Sequence, residues 1–556
     1  MPESRDTVWS RLANESFDLL IIGCGITGAG AVRDAVRRGL RVAVVDANDI
    51  AFGTSSRSSK LVHGGLRYLE NMEFSLVFEA VSERRVLQNI APHLVNPQGF
   101  LFPVFKKRKP TLNTLRAGLW VYDSLSLFRS PKVHRTFSRT QALKAEPILR
   151  AEGLAGAPLY YDCSTDDARL TLETVLDAEA LGAVVLTYAR VTGLLRDASG
   201  KVTGAMVSDA LDSDQRRETI SVRASAVINA TGPWTDRTRA MSGGGRLLRP
   251  TKGVHIVVPF ERLPLKYAVV VSHPKDRRIL FAIPWGEQSY CGTTDTDFDG
   301  DPADVAADAE DVRYLLDACN DYFPSVHLTE DDVIATWAGL RPLISQEGRS
   351  ESSVSREHEI LVDPDGLITI AGGKLTTYRR MGAEVVTRAL DLMALTGKMP
   401  EGIRDAHTGR EPLPGAVGWP HDDDHAAVAE RVLEAADQKI GRDTAMHLAN
   451  RYGMRGIDIA RYARADQRHL QRLVPNRPEI LALVDWSVQR ELAQTLNDVM
   501  IRRTQLYFRD HDQGLGCAER VSERMAELLG WSEERRAREV LIYQAEVARS
   551  RRWRNE

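Results

Sequence analysis

Three glycines near the start of the chain have the spacing of a phosphate-binding turn. Gly23, Gly25 and Gly28 follow an apolar run over residues 17–22, and a helical segment extends from about Thr27 to Arg38. In such a pattern the first glycine permits a tight turn, the second lets the backbone approach a pyrophosphate, and the third lets the helix pack against the strand. The free N–H groups and partial positive charge at the start of the helix favour phosphate there.

An acidic residue ends the second strand of this unit. The apolar residues 42–45 lead to Asp46, eighteen residues after Gly28, and its carboxylate can accept hydrogen bonds from both hydroxyls of a ribose. Strand, glycine turn, helix, strand and acid therefore occur in the order of a dinucleotide-binding βαβ unit. The alternative is a glycine-rich turn with a purely structural role, and the fingerprint alone does not distinguish FAD from NAD.

A polar segment follows this unit, GTSSRSSKLVHGGLRY over residues 53–68. It carries five serine and threonine hydroxyls and, counting His63, four cations. Such a set of donors can surround a phosphate or a polar ring system. The alternative is a polar surface loop, and the reasoning from the residues leaves both open.

With two further residues this segment reads GTSSRSSKLVHGGLRYLE, and it resembles a family signature. The signature follows the FAD fingerprint in FAD-dependent glycerol-3-phosphate dehydrogenases, the respiratory and quinone-linked family. The resemblance is strong over about residues 17–395 and looser beyond. The other matching motifs are DDARL (166–170), ATG (230–232), KGVHIVV (252–258), IPW (283–285), GTTD (292–295), GLRPL (339–343) and GGKLTTYR (372–379).

The resemblance implies FAD as the cofactor, held by the glycine turn and by a second strand–glycine–helix segment over residues 367–379. In the family this second segment closes over the flavin pyrimidine, where its free N–H groups would stabilise negative charge. The residues expected to contact FAD are Gly23, Gly25, Thr27, Gly28, Asp46, Thr54, Ser55, Ser59, Lys60, His63, Val191, Ala230, Gly232, Gly373, Lys374, Leu375 and Thr376.

The reaction implied by the resemblance is oxidation of sn-glycerol 3-phosphate to dihydroxyacetone phosphate. A hydride leaves the substrate C2 for flavin N5 while a base takes the C2 hydroxyl proton, and a quinone then accepts the electrons. By resemblance, Arg67 and Tyr68 hold the phosphate of the substrate, whereas Arg341 and Lys374 lie by the reacting oxygen. Cations beside that oxygen would stabilise a developing alkoxide.

Two histidines are candidate bases, and the sequence does not choose between them. His63 lies within the polar segment, and His255 interrupts an otherwise apolar strand, where a lone histidine is ordinarily a hydrogen-bonded core residue. Pro342 restricts Arg341 to an extended conformation, which aims its five-donor fork in one direction. Arg57 adds a cation that the resemblance does not explain.

The composition gives no indication of a nucleic-acid partner or of a membrane span. Hydrophobic content of 43% and charged content of 27% are typical of a soluble globular protein, and a net charge of −3 gives no reason to expect nucleic acid. No apolar run approaches the roughly 20 residues of a membrane span, and the N-terminus lacks the apolar core of a signal peptide. Five scattered cysteines suit a reduced cytoplasm. The acidic HDDDH segment at 421–425 is interpreted as a solvated linker, so no metal is expected.

A chain of 556 residues exceeds one ordinary core, so several domains are expected. We predict an α/β fold with a discontinuous, Rossmann-like FAD-binding domain, an inserted β-rich substrate domain and an α-helical C-terminal domain. The boundaries are 17–95, 165–250 and 345–398 for the FAD-binding domain, 96–164 and 251–344 for the substrate domain, 399–420 for a linker, and 421–556 for the helical domain.

The quinone of the family lies in the membrane, so a surface patch must reach the lipid. A basic cluster over residues 106–109, with Phe102, Phe105 and Trp120 nearby, could rest on an anionic leaflet, although a solvated loop is the alternative. The resemblance implies a cytoplasmic protein peripheral to the inner face of the cell membrane. The sequence does not determine the oligomeric state, and a homodimer is left open.

Two other functions fit parts of the sequence. A glycerol-3-phosphate oxidase would deliver the electrons to oxygen on the same scaffold, but no long insertion occurs between Asp295 and Arg341, which favours the dehydrogenase. A flavin-binding module without catalysis is the second alternative. The presence together of Arg67, Arg341, Lys374 and both candidate histidines argues against it.

Overall fold

The computed structural model describes residues 3–65, 73–106, 110–125, 132–211, 217–345 and 358–556. In these ranges the strands are β1 (Ser16–Ile22), β2 (Val42–Val45), β3 (Leu61–Val62), β4 (Asn96–Leu101), β5 (Val104–Phe105), β6 (Arg135–Ser138), β7 (Leu154–Ser164), β8 (Val184–Leu186), β9 (Ala189–Arg196), β10 (Val202–Asp209), β11 (Ile220–Asn229), β12 (Leu248–Pro259), β13 (Ala268–Ser272), β14 (Ile279–Trp285), β15 (Gln288–Gly292), β16 (Thr296–Asp297), β17 (Ala335–Ile344), β18 (His358–Val362) and β19 (Ile368–Gly372).

The α-helices of the described residues pack against both of the two sheets and make up most of the C-terminal region. They are α1 (Arg5–Asn14), α2 (Ile26–Arg37), α3 (Phe74–Ile90), α4 (Leu112–Leu125), α5 (Arg139–Ala145), α6 (Asp167–Ala180), α7 (Thr235–Ala240), α8 (Ala309–Tyr322), α9 (Tyr378–Leu395), α10 (His425–Ala435), α11 (Arg442–Tyr452), α12 (Arg455–Arg464), α13 (Ala482–Arg490), α14 (Leu506–Arg509), α15 (Leu515–Leu529) and α16 (Glu533–Arg551). A π-helical turn spans Asp498–Arg503.

The first sheet has a parallel core in the order β19-β11-β1-β2-β8. Strand β18 pairs antiparallel with β19, and the β9–β10 hairpin adds antiparallel to β11. Leu19 and Ile21 of β1 pack towards α2, α6 and α9, whereas Leu20 and Ile22 pack towards α1 and the hairpin. Burial on both faces explains why these strands are continuous apolar runs.

Close approach of the backbone explains the glycines of the first turn. Gly23 has φ of +108°, and a Cβ there would lie 2.5 Å from the Ala230 carbonyl oxygen. A Cβ on Gly28 would lie 1.9 Å from the carbonyl oxygen of Gly23. Strand β1, helix α2 and strand β11 therefore meet at a distance that only glycine permits.

The second sheet runs in the order β16-β12-β15-β14-β13-β4-β7-β3, with β17 on β12 and with β5 and β6 on β7. Its strands come from before and after the β8–β11 segment, as the prediction of an inserted β-rich domain requires. Strand β3 also belongs to it, pairing Leu61 with Ser164. The chain therefore enters the second sheet at residue 61, earlier than the predicted boundary at 96.

The last C-terminal helices pack against the second sheet. Leu496, Phe508 and Tyr543 share one hydrophobic cluster with Val257 and Trp337 of the second sheet. Helices α10–α13 add a smaller cluster of their own. The predicted linker is also packed, since Leu413 is fully buried. The α/β architecture with a β-rich second sheet and a helical C-terminal region agrees with the predicted fold class.

The predicted basic and aromatic surface is only partly exposed. Phe105 is 5% exposed and packs beneath the guanidinium of Arg150, whereas Trp120 is 54% exposed. Residues 107–109 lie outside the described ranges. Among the described residues, two packed helices also carry exposed apolar side chains, Phe74 and Phe78 on α3 and Trp120 and Val121 on α4, and others lie elsewhere, for example Leu395 and Leu541.

Candidate active site

A cavity of about 560 Å³ lies at the carboxyl ends of β1, β2 and β11. These three strands are parallel neighbours with β1 in the middle, which is the edge at which open α/β sheets bind their ligands. The glycine turn, the end of β2 and the segment after β19 all contribute to its walls. The predicted cofactor residues that line it are Gly23, Gly25, Thr27, Asp46, Thr54, Ser55, Val191, Ala230, Gly232, Gly373, Lys374 and Leu375.

Asp46 is fastened to the glycine turn. One carboxylate oxygen accepts from the Cys24 backbone N–H at 2.6 Å, and the other accepts from the Asn48 N–H at 2.8 Å. Burial raises the pKa of Asp46 from 3.8 to about 6, against the opposing effect of these hydrogen bonds. The carboxylate therefore borders the cavity in a position that the backbone N–H groups of Cys24 and Asn48 fix.

Five predicted cofactor contacts lie elsewhere. Gly28 packs beneath Gly23 and does not border the cavity. Ser59, His63 and Thr376 line a second, adjoining cavity. The fifth, Lys60, borders neither cavity.

Lys60 was predicted to contact the cofactor, and its ammonium is instead fully buried away from the cavities. It donates to Asp167 at 2.7 Å and to the Ser56 carbonyl at 3.2 Å. The rings of Trp285, Trp337 and Phe508 surround it at 5.3–5.9 Å. A buried ammonium needs a carboxylate partner, and helix α6 supplies one that the sequence did not indicate.

Sequence reasoning missed two aromatic residues of the first cavity. The rings of Phe52 and Trp234 both border it, with centroids 6.2 Å apart. Trp234 directly follows the ATGP turn, so an aromatic residue after a strand–turn motif was an available signal. Phe52 follows the acid at the end of β2, where no comparable signal exists.

The second cavity, of about 190 Å³, adjoins the first through Thr54, Ser58 and residues 372–375. It gathers four of the predicted catalytic and substrate-binding residues. These are His63, His255, Arg341 and Lys374. The predicted phosphate ligands Arg67 and Tyr68 lie outside the described residues.

Arg341 is held by the turn that follows β15. Its Nη1 donates to Asp295 at 2.9 Å, and its Nη2 donates to the Thr293 hydroxyl at 3.2 Å and to the Thr294 carbonyl at 3.1 Å. A Cβ on Gly253 of the neighbouring strand would lie 2.7 Å from Nη2. The GTTD motif and Gly253 therefore act as supports for this guanidinium, a role that the sequence did not reveal.

His255 lies deep in the wall of the second cavity and is 2% exposed. Its Nε2 is 2.9 Å from the Ser59 hydroxyl oxygen, and its ring stacks on Trp337 at 4.7 Å. Burial, reinforced by the charges of Arg341 and Lys60, holds the pKa of His255 well below its usual value. The imidazole is therefore neutral at physiological pH.

His63 is half-buried and follows β3 directly. Its backbone N–H donates to the Thr376 hydroxyl at 3.2 Å, and that hydroxyl donates to the His63 carbonyl at 3.3 Å. These contacts tie His63 to the segment that begins with Lys374. The two predicted bases thus border one cavity in different environments, His255 deep in the wall and His63 closer to the surface.

The residues of the first cavity fit FAD. Its volume is that of a cofactor site, and Gly25, Ile26 and Thr27 at the start of α2 line it. Asp46 at the end of β2 suits a ribose, and Gly372 and Gly373 both adopt positive φ beside the opposite wall. Gly25–Thr27 would hold the pyrophosphate, and residues 373–375 would face the flavin.

The acidic HDDDH segment shows no metal-binding arrangement. His425 pairs with the Asn450 side chain at 2.7 Å. In the ranges that the structure describes, no three His, Cys, Asp or Glu side chains converge as metal ligands.

FAD affinity is expected to fall as the pH drops through about 6. The ionised Asp46 carboxylate accepts hydrogen bonds from ribose hydroxyls, and protonation at its raised pKa of about 6 removes acceptor capacity. Below that pH the Kd should rise by up to about tenfold per pH unit. Fluorescence titration of the apoprotein between about pH 7 and pH 5 measures this.

The control for this titration is Asp46→Ala. It should bind FAD about 1.5–3 kcal/mol more weakly at neutral pH, since a hydrogen bond to a charged group is lost. Its Kd should also lack the slope with pH. If the Kd of the wild-type protein stays constant over this pH range, Asp46 does not bind the ribose.

Comparison with known proteins gives two family matches. Residues 18–379 match the model described as FAD dependent oxidoreductase. Residues 406–536 match the model of the C-terminal domain of alpha-glycerophosphate oxidase. Together the two matched segments span the two sheets and most of the helical C-terminal region.

Individual relatives cover nearly the whole chain. The aerobic glycerol-3-phosphate dehydrogenase of Staphylococcus saprophyticus is 38% identical over 534 residues, which is 95% of this chain and 94% of the relative. The crystal structure of glycerol-3-phosphate dehydrogenase from Bacillus halodurans, complexed with FAD, is similar with a TM-score of 0.80 and 34% identity, covering 98% and 97% of the two chains. The L-alpha-glycerophosphate oxidase of Mycoplasma pneumoniae shares the fold, with a TM-score of 0.51, 18% identity, and coverage of 68% and 95%.

Proposed function

The chain belongs to the family of FAD dependent oxidoreductases, and we propose that it oxidises sn-glycerol 3-phosphate to dihydroxyacetone phosphate with a quinone as electron acceptor. The observation that carries the proposal is the small cavity beside the FAD cavity, because it gathers Arg341, Lys374 and two imidazoles around about 190 Å³. A space of that size suits a three-carbon phosphate ester, and cations suit its charge. The names of the relatives support the same substrate.

Cations at this cavity have two tasks. When bound, FAD supplies the acceptor for the hydride from the substrate C2. Arg341 is braced by Asp295 and by the turn before it, so its fork needs little reorganisation to stabilise negative charge developing on the C2 oxygen. Lys374 adds a second positive charge at the junction of the two cavities.

We assign the general base to His63 rather than His255. A base works best when its pKa lies near the working pH, and the pKa of the buried His255 is held well below that range. A neutral His255 can instead donate a hydrogen bond to the substrate oxygen without competing for its proton. His63, half-buried beside Lys374, can accept the C2 hydroxyl proton and release it to solvent.

Anaerobic addition of sn-glycerol 3-phosphate to the holoprotein tests the substrate. The flavin absorbance should bleach, because substrate oxidation leaves the cofactor reduced. Glycerol and sn-glycerol 1-phosphate are matched controls, since one lacks the phosphate and the other has the opposite configuration at C2. Holoprotein that dithionite bleaches and glycerol 3-phosphate does not would refute the substrate assignment.

The electron acceptor requires a second measurement. Reduced holoprotein should be reoxidised faster by a soluble quinone analogue than by air-saturated buffer. The opposite ranking would favour the oxidase, to which the description of the matching C-terminal domain also refers.

We further propose that the protein contacts the inner membrane face through the exposed side of α3 and α4. The described parts of the chain contain no helix that is both long and apolar enough to cross a bilayer. Phe74, Phe78, Trp120 and Val121 are each 41–54% exposed. Aromatic side chains on packed surface helices suit the interface of a leaflet, and basic residues at 106–109 would add attraction to anionic lipids.

Sedimentation with anionic vesicles tests this surface. A variant with Phe74, Phe78 and Trp120 replaced by Ser should partition at least about tenfold less, because burying an aromatic side chain contributes about 1.5–3 kcal/mol. The matched control replaces Leu541 and Ile542 of α16, which are 64% and 47% exposed. Equal loss in both variants, or none in the first, would contradict the assignment.

Salt separates the apolar and electrostatic contributions to vesicle binding. Replacing all four cations of residues 106–109 by Gln should weaken binding at low salt, where each contributes about 1 kcal/mol. At high salt the difference from wild type should shrink. Binding that is unaffected by these replacements at either salt concentration would exclude the basic cluster.

A further inference from the structure

Two arginines of the C-terminal region contact the loop that follows β2. Arg502 and Arg503 end the π-helical turn, and both contact Asp49, more than 450 residues earlier in the chain. Arg502 Nε donates to Asp49 Oδ2 at 2.5 Å, and Arg503 donates to both carboxylate oxygens at 2.7 and 2.9 Å. Asp49 is fully buried, and both arginines are at most 3% exposed.

The cluster is balanced in charge. Arg502 also donates to Asp498 at 2.6 Å, and the Tyr188 hydroxyl donates to the same carboxylate at 2.5 Å. Two acids therefore face two guanidinium groups in a dry environment. Burial alone would raise the pKa of Asp49, but Arg503 and Arg502 hold it below its usual value. Such a contact is geometrically specific, because the planar forks fix the direction of the carboxylate.

Asp49 belongs to a short loop that borders the FAD cavity. The loop leaves β2 at Asp46 and reaches the cavity again at Phe52 and Ser55. The Phe52 N–H donates to the Asp49 carbonyl at 3.2 Å, and the Ser55 hydroxyl accepts from the Ile26 N–H at 2.9 Å, at the start of α2. A displacement of Asp49 would therefore also displace the residues on either side of it that line the cavity.

Arginines also surround the aromatic residue of this loop. The guanidinium of Arg502 lies 5.7 Å from the centroid of the Phe52 ring, and that of Arg57 lies 5.5 Å from it. The Phe52 ring also neighbours that of Trp234, with the two centroids 6.2 Å apart. Arg57, which the sequence left unexplained, thus helps to fix the position of Phe52.

We propose that Arg502 and Arg503 are positioning residues for the cofactor. Acting through Asp49, they hold residues 49–55 in the shape that completes the FAD cavity. The helical C-terminal region is then part of the cofactor site although it contributes no side chain to the cavity lining. The inference rests on FAD binding and not on the choice of substrate or electron acceptor.

The test compares two buried carboxylates that each face two arginines. Asp49→Asn removes the charge that holds the loop. Asp177→Asn removes the partner of Arg33, 2.6 Å away on α2, and of Arg37, 2.8 Å away on the same helix, and none of these three residues borders either cavity. Both variants leave buried guanidinium groups without a full counter-charge, so both should lower the Tm. Only Asp49→Asn should change the flavin environment.

The expected result is a specific loss of FAD affinity. Titration of apoprotein with FAD should give Asp49→Asn a Kd roughly 10- to 100-fold above wild type, and Asp177→Asn a Kd within about twofold of wild type. The visible circular dichroism of bound flavin should change only in Asp49→Asn. The proposal would be overturned if Asp49→Asn bound FAD with the same Kd as the wild type, or if both variants bound FAD equally weakly.

Arg503→Lys keeps the test decisive if Asp49→Asn does not fold. It retains the charge but loses the bidentate fork, so the fold should persist while FAD binding weakens. An unchanged Kd and flavin spectrum in Arg503→Lys would also overturn the proposal. Should glycerol 3-phosphate fail to reduce wild-type flavin while these Kd differences hold, the substrate assignment fails and this inference stands.

Discussion

A His63→Asn variant is expected to oxidise glycerol 3-phosphate with kcat/KM lowered by about 10²- to 10⁴-fold, the usual contribution of a general base. The asparagine side chain keeps a similar size and polarity but cannot accept a proton. Because His63 contacts Thr376 through its backbone, the segment that follows β3 should keep its position in the variant. Stopped-flow reduction of the flavin measures the loss directly, and FAD content should stay near wild type.

His255→Asn is the matched comparison for His63→Asn. If His255 is a neutral donor, its replacement should cost at most about tenfold, the contribution of one neutral hydrogen bond. The buried position beside Ser59 and Trp337 should still be filled. A larger loss in His255→Asn than in His63→Asn would reverse the assignment of the base.

Arg341→Ala is expected to lower kcat/KM by about 30- to 1000-fold, or roughly 2–4 kcal/mol, because a charge-assisted contact to the substrate is lost. FAD content should not change, since Arg341 lines only the smaller cavity. Steady-state kinetics on the reconstituted holoprotein, with flavin content measured on the same sample, provides the test.

Two further variants show whether the guanidinium position matters. Gly253→Ala puts a Cβ 2.7 Å from the Arg341 Nη2, so it should lower kcat/KM without removing any charge. Arg249→Ala breaks an exposed pair with Asp297 on the same sheet, outside both cavities, and should leave kcat/KM unchanged. Full activity in Arg341→Ala would show that Arg341 does not act on the substrate.

The cofactor half of the site could be predicted because its geometry is local. Strand, turn, helix and strand occur within residues 17–46, and the right-handed connection of parallel strands leaves few arrangements for such a unit. Gly23 and Asp46 therefore border the cavity as their spacing predicts. The same holds for residues 373–375, which directly follow a strand of the same sheet.

The resemblance to a family grouped four residues that line the smaller cavity, but it did not indicate what each one contacts. His63, His255, Arg341 and Lys374 border one space as the matched motifs imply. Nothing in those motifs distinguishes a buried, neutral imidazole from a half-exposed one. That difference comes from burial and from neighbouring charges, which depend on how the two sheets pack.

The sequence did not predict ion pairs between residues that lie far apart along the chain. Lys60 stands in a run of polar residues that suggested a cofactor contact, yet it pairs with Asp167, 107 residues later. Asp49 and Arg503 are separated by 454 residues. Charged residues are frequent along the chain, so composition and spacing do not reveal which of them meet. The tertiary structure decides it, because a buried charge is tolerated only where packing brings an opposite charge within hydrogen-bonding distance.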